Sequence, residues 1–133
     1  MAITFNGTTT ILQKTSALLP GTDFSSLVWA YLLSYGEAAS ARLLNTDENN
    51  SNVRWRVENT SRMHLRKVHA PTAGQWRSHI GSIETNTWMC LGVTYAGSVQ
   101  TNIPTFYKRN VATSSILTAQ SGIQATAPSG TGQ

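Results

Sequence analysis

The sequence predicts an all-β chain folded as an antiparallel β-sandwich, and three observations carry that prediction. Short stretches alternate apolar and polar residues, most cleanly where Val53, Trp55 and Val57 interleave with Arg54, Arg56 and Glu58. Turn-forming clusters such as Asn6-Gly7 and Pro20-Gly21-Thr22-Asp23 separate those stretches. Charged residues make up only 12 % of the chain, so the polar surface falls to Thr, Ser, Asn, Gln and Gly, a composition that suits sheets better than helices. The 133 residues are about one domain, large enough to fold around one core without a disulfide.

Element by element, residues 2–5 read as a strand, Asn6-Gly7 as a hairpin turn and residues 8–13 as the returning arm. Residues 24–34 form the longest apolar segment. Leu27, Trp29, Tyr31 and Leu33 alternate with Val28, Ala30 and Leu32, which predicts a central strand covered on both sides. A helix is the rival reading there, but the segment lacks an acidic first turn and is rich in aromatic and branched residues. Residues 38–45 read as a strand and 46–50 as a polar turn. Residues 52–59 and 62–66 form a hairpin closed by a tight turn at Asn59-Thr60. One of its faces is apolar through Val53, Trp55, Val57, Met63 and Leu65; the other is cationic. Residues 71–87 read as a long polar loop. Strands follow at 88–95, 105–111 and 114–119. A single sandwich over residues 1–126, then a flexible small-residue segment at 127–133, is the expected organisation.

The net charge of +4 is unevenly spread. Arg54, Arg56, Arg62, Arg66, Lys67 and Arg77 are six of the ten cations, and His64, His69 and His79 fall in the same stretch with Glu58 as the only acid. Such a stretch suits an anionic partner: nucleic acid, an acidic glycan or an acidic protein surface. The plainer reading is the solvated face of a hairpin. Trp29, Trp55 and Trp88 lie on alternating strands and read as core. Trp76, in a polar loop beside Arg77, is the best single candidate for contact with a ligand, with His79, Arg54 and Arg56 beside it. Cys90 is the sole cysteine and sits in the apolar run Trp88-Met89-Cys90-Leu91, where a buried inert thiol is expected.

Several stretches together resemble one family. Ile3-Thr4-Phe5-Asn6-Gly7-Thr8-Thr9-Thr10 and Phe24-Ser25-Ser26-Leu27-Val28-Trp29-Ala30 are similar to strands of the laminin-G-like, concanavalin A-like jelly rolls. The sharpest likeness is Trp88-Met89-Cys90-Leu91-Gly92-Val93-Thr94-Tyr95-Ala96-Gly97-Ser98, where the family has Trp and then Val-Thr-Tyr-Asp-Gly-Ser. Ile103-Pro104-Thr105-Phe106-Tyr107-Lys108-Arg109-Asn110-Val111 looks like the strand that follows, and Ala127-Pro128-Ser129-Gly130 like a later loop. Ala96 stands in place of the usual Asp, and Arg109-Asn110 in place of Asn-Gly. The resemblance implies a jelly roll in which Trp29 packs into the core, and it implies further C-terminal strands that this sequence does not contain. The sandwich is therefore expected to be incomplete at its C-terminal end. The missing strands would come from a longer polypeptide or from a neighbouring chain, or the family fold has been trimmed.

Catalysis finds little support. Asp23, Glu37, Asp47, Glu48, Glu58 and Glu84 do not form the Glu-x-Asp-x-x-Glu pattern of glucanases with this broad fold, and the histidine spacing fits no metal motif. The expectation is no enzyme and no cofactor, with calcium the one metal the sequence accommodates, on Asp47 with Asn45, Asn49 and Asn50. The expected role is a non-enzymatic structural or decorating protein of a virion or other particle surface, its partners being other subunits, copies of itself among them, and a glycan. A carbohydrate-recognition module is the alternative. Nucleic acid is disfavoured because the basic hairpin lacks interleaved exposed aromatics. Membrane insertion is not expected, as no apolar run approaches spanning length. Met1-Ala2-Ile3-Thr4-Phe5 does not open like a signal peptide, so a virion or extracellular location would be reached by another route such as cell lysis.

Overall fold

The computed structural model describes residues 23–35, 40–45, 53–68, 72–97 and 101–127. The hairpin expected at residues 2–13, the turn at 46–50 with its calcium reading, His69, and the tail beyond 127 lie outside the described residues. Within them the chain is all strand and connection, with no helix long and apolar enough to cross a membrane.

Nine strands are described: β1 (Asp23–Tyr31), β2 (Ser40–Asn45), β3 (Val53–Glu58), β4 (Arg62–Lys67), β5 (Gly74–Arg77), β6 (Trp88–Ala96), β7 (Thr105–Asn110), β8 (Thr118–Ser121) and β9 (Ile123–Thr126). They form two antiparallel sheets, one ordered β1-β6-β7-β8 and the other β2-β3-β4-β5-β9. The inner faces meet in one core. Val53, Trp55 and Val57 of β3, Met63 and Leu65 of β4 and Trp76 of β5 pack with Phe24 of β1, Met89, Leu91, Val93 and Tyr95 of β6 and Phe106 of β7. The Trp76 and Tyr95 rings, from opposite sheets, lie 4.8 Å apart between centroids. Period-two alternation explains this: in β3 and β4 every second residue is large and apolar, so one face of each strand must be removed from water.

The β3–β4 hairpin pairs Glu58 with Arg62 and is closed by three residues, Asn59, Thr60 and Ser61, rather than by a tight two-residue turn. Ser61 takes a positive φ of 57° and its N–H donates to the Glu58 carbonyl at 3.0 Å, the turn-plus-bulge form that suits the twist of paired strands.

Four expectations are corrected. The segment expected to be a long loop at 71–87 contains β5, which pairs with β4 from His64↔Arg77 to Lys67↔Gly74. Alternation was the missed signal: Gly74 and Trp76 point inward and Gln75 and Arg77 outward, but the glycine hides the period. A β-carbon on Gly74 would lie 2.2 Å from the Trp76 ring, so glycine is what lets the indole fold over its own strand. The strand expected at 114–119 is β8, four residues further on, and β9 after it was not foreseen. In the β1 segment, the expected central strand is the end strand of its sheet among the described residues, with one face covered and the other open. Finally, Trp29 and Trp88 are not core residues: they are 53 % and 48 % exposed on the outer side of that sheet. Trp55 is fully buried and Cys90 is buried, as expected.

Candidate functional site: two opposed sheet faces

The outer face of the five-stranded sheet is built from arginine. Register places Arg42, Arg56, His64 and Arg77 in one row across β2, β3, β4 and β5. Arg54 and Arg66 are directly paired in the next row, and Glu58 and Arg62 in the row on the other side. Like charges directly opposite one another destabilise a sheet. Glu58 relieves part of that repulsion. Its Oε1 accepts from Arg56 Nη2 at 3.1 Å, and its Oε2 from Arg62 Nε at 3.0 Å and Arg77 Nε at 3.1 Å. Burial works against ionisation of this carboxyl, but the positive groups of His64, Arg62, Arg77 and Arg56 outweigh it and hold its pKa below the ordinary value.

His64 lies beneath these arginines, only 3 % exposed. Burial pushes its pKa down to about 4, more than the nearby Glu58 carboxylate can raise it. The imidazole is therefore neutral near pH 7, and the three guanidiniums are then the charges that keep Glu58 ionised. Arg56 Nε donates to His64 Nδ1 at 2.9 Å. An arginine N–H can only donate, so Nδ1 is the acceptor and the ring proton sits on Nε2. That Nε2 is buried and has no hydrogen-bond partner.

The outer face of the four-stranded sheet has the opposite chemistry. Leu27, Trp29 and Tyr31 of β1 stand opposite Gly92, Cys90 and Trp88 of β6, and Tyr107 and Arg109 of β7 continue the two rows through Gly92 and Cys90. The Tyr31 and Trp88 rings meet edge to face at 5.7 Å, and the Arg109 guanidinium sits 5.8 Å over the Trp29 ring. Arg109 is held there by its Nε–H, which donates to the Ser114 carbonyl at 2.8 Å. Gly92 leaves a shallow apolar depression of ≈ 290 Å³ between Leu27, Tyr107 and Leu117. Leu27, Trp29, Tyr31, Leu33, Trp88 and Leu117 are all exposed on or beside this face.

The residues singled out from sequence thus divide. Arg54, Arg56 and Arg77 share the arginine face. Trp76 does not join them; it points the other way, 1 % exposed in the core, which removes it from contact with any ligand. His79 is exposed in the turn after β5 and stands outside the Glu58 cluster. Trp29 and Trp88, read from sequence as core, are the exposed aromatics instead. The signal that both faces of residues 24–34 are apolar was legible; that the second sheet covers only one of them was not. Among the described residues no three His, Cys, Asp or Glu side chains gather into a metal site. No family model matches the chain, and no curated protein or solved structure matches it.

Proposed function

We propose that the chain is a non-enzymatic structural subunit of a particle surface, such as a virion, and that copies of it mate through the outer face of the four-stranded sheet. The observation that carries this reading is the continuous exposed row of Leu27, Trp29, Tyr31 and Trp88. Soluble monomers rarely leave contiguous apolar patches beyond a few hundred Å² open to water. Of the charged side chains on this side, Arg109 is already engaged with Trp29 and Asp23 stands at the far end of β1, so the patch around Trp29 favours an apolar counterpart. The apolar face present on every copy is this same one, and self-complementary two-fold contacts are the commonest way for chains to associate. A laminin-G-like jelly roll is the proposed ancestry, supported by the pairing of β1 with β6, which hold two of the stretches that carry the resemblance.

The test is the mass of the purified chain by light scattering across a wide concentration range. A dimer or larger assembly is expected, with Trp29→Ala/Trp88→Ala weakening association at least about tenfold, equivalent to 1.4 kcal/mol. A chain that stays monomeric throughout, or an assembly indifferent to both substitutions, overturns the reading.

A second reading is carbohydrate recognition. It now rests on the exposure of the Trp29 and Trp88 rings on an open sheet face, where indoles stack against sugar rings. Glycan-array binding lost in Trp88→Ala would favour it; an empty array would remove it.

A further inference from the structure

We propose that the arginine face of the five-stranded sheet binds the phosphate backbone of nucleic acid. The proposal is independent of how copies associate, because it concerns the opposite side of the sandwich. Six of the chain's seven arginines, Arg42, Arg54, Arg56, Arg62, Arg66 and Arg77, project from this one face, against a single described carboxylate, Glu58. Among the described residues this face therefore carries more positive charge than the whole chain's net +4. Solubility asks for mixed surface charge and gives no reason for such segregation.

The arrangement is also held against its own repulsion. Arg54 faces Arg66 directly, and Arg56 and Arg77 flank the same histidine. Glu58 already accepts from three guanidiniums. An external anion would add to the relief that Glu58 gives these arginines.

The kind of anion follows from what the face lacks. Among the described residues no aromatic side chain stands on it, and Ile123 at the β9 edge is its one exposed large apolar residue. A protein interface is anchored by aromatic and apolar groups at its centre, and sugars are gripped by stacking on rings. Neither is available. Planar guanidiniums in rows match phosphate oxygens two at a time, and a repeating phosphodiester presents one charge per residue along its length. The absence of stacking aromatics disfavours base contacts without touching backbone contacts, so recognition is independent of sequence.

The experiment is fluorescence anisotropy with labelled mixed-sequence oligonucleotides, single-stranded RNA and duplex DNA, titrated with the full chain at several salt concentrations. Log affinity should fall linearly with log salt, by roughly 0.7 per phosphate engaged on a single strand and 0.9 on a duplex. Arg42→Ala/Arg66→Ala, which leaves the Glu58 cluster intact, should reduce that slope by about 1.5 and weaken binding about tenfold or more at low salt. Lys108→Ala, which removes a cation from β7 of the other sheet, should leave binding unchanged. Circular dichroism establishes that each variant is folded. No binding at low salt, binding indifferent to the double substitution, or equal binding to poly-glutamate or a sulfated polysaccharide of matched length would overturn the assignment.

Discussion

Arg56 and His64 face each other across the β3–β4 hairpin, and the Arg56 Nε–H donates to His64 Nδ1 at 2.9 Å. The same nitrogen lies 2.9 Å from Glu58 Oε1. It therefore has two competing neighbours: a donor that requires it bare and an acceptor that would welcome it protonated. At neutral pH burial decides for the bare form.

The fold should for that reason lose stability in mild acid. The unfolded chain takes up a proton at His64 near its ordinary pKa of 6.5, whereas the folded chain resists until about 4. With the folded pKa depressed, the contribution is complete above 6.5 and is lost as pH falls from there to about 4. Glu58, whose folded pKa is also lowered, adds a further loss below its ordinary value of 4.5. Urea midpoints measured across this range should fall with pH, and His64→Gln should flatten the upper part of the decline. A midpoint independent of pH between 6.5 and 4.5 would mean that the imidazole is not held neutral.

Removing the charge at Glu58 should be worse than removing any one arginine. Glu58→Gln leaves Arg56, Arg62 and Arg77 crowded around a neutral amide, with the Glu58 side chain itself only 11 % exposed. A loss of about 2 kcal/mol or more is expected from stripping one member of a largely buried charge group. Arg62→Ala, which leaves two guanidiniums on the carboxylate, should cost less. Denaturant titration of the two variants ranks them directly, and the reverse order would remove Glu58 as the keystone of this face.

Gly74→Ala should destabilise the core. The new methyl would lie 2.2 Å and 2.7 Å from ring atoms of Trp76, and that indole is wedged against Tyr95. Overpacking of this kind typically costs about 1–3 kcal/mol. A lower melting temperature with a red-shifted tryptophan emission is expected; an unchanged protein would show that the indole has room to move.

Cys90 should react slowly with a disulfide reagent in the native chain and fast once unfolded. It is buried although it sits on the outer side of β6, flanked in register by Trp29 and Arg109. Trp29→Ala should speed labelling with little change in unfolding. Labelling as fast as in a free thiol would show that those neighbours do not cover it.

How far residues speak for themselves depends on whether the deciding contact is local. β3 and β4 were legible because Val53, Trp55, Val57, Met63 and Leu65 alternate without interruption, and their register follows from the turn between them. The cationic side of that hairpin was legible for the same reason. β5 was hidden because glycine, the residue that makes room for Trp76, is also a signal for a loop. The fates of Trp29, Trp76 and Trp88 depend on where the second sheet ends, which only the packing of distant strands decides. That Arg42 joins Arg56 and Arg77 is likewise a fact of pairing between β2 and β3, not of spacing along the chain.

The apolar and arginine faces look in opposite directions from the two layers of the sandwich. Two copies mated through their apolar faces would stack four sheets at spacings of about 10 Å. Their arginine faces would then be the two outermost surfaces, roughly 30 Å apart. Such a pair is a two-sided clamp. Each side holds weakly by itself, but strands held on both sides, or one strand doubling back, are gathered with the gain that bivalent attachment brings. Salt would act on the two contacts in opposite senses, loosening the grip on phosphate while leaving the apolar seam intact.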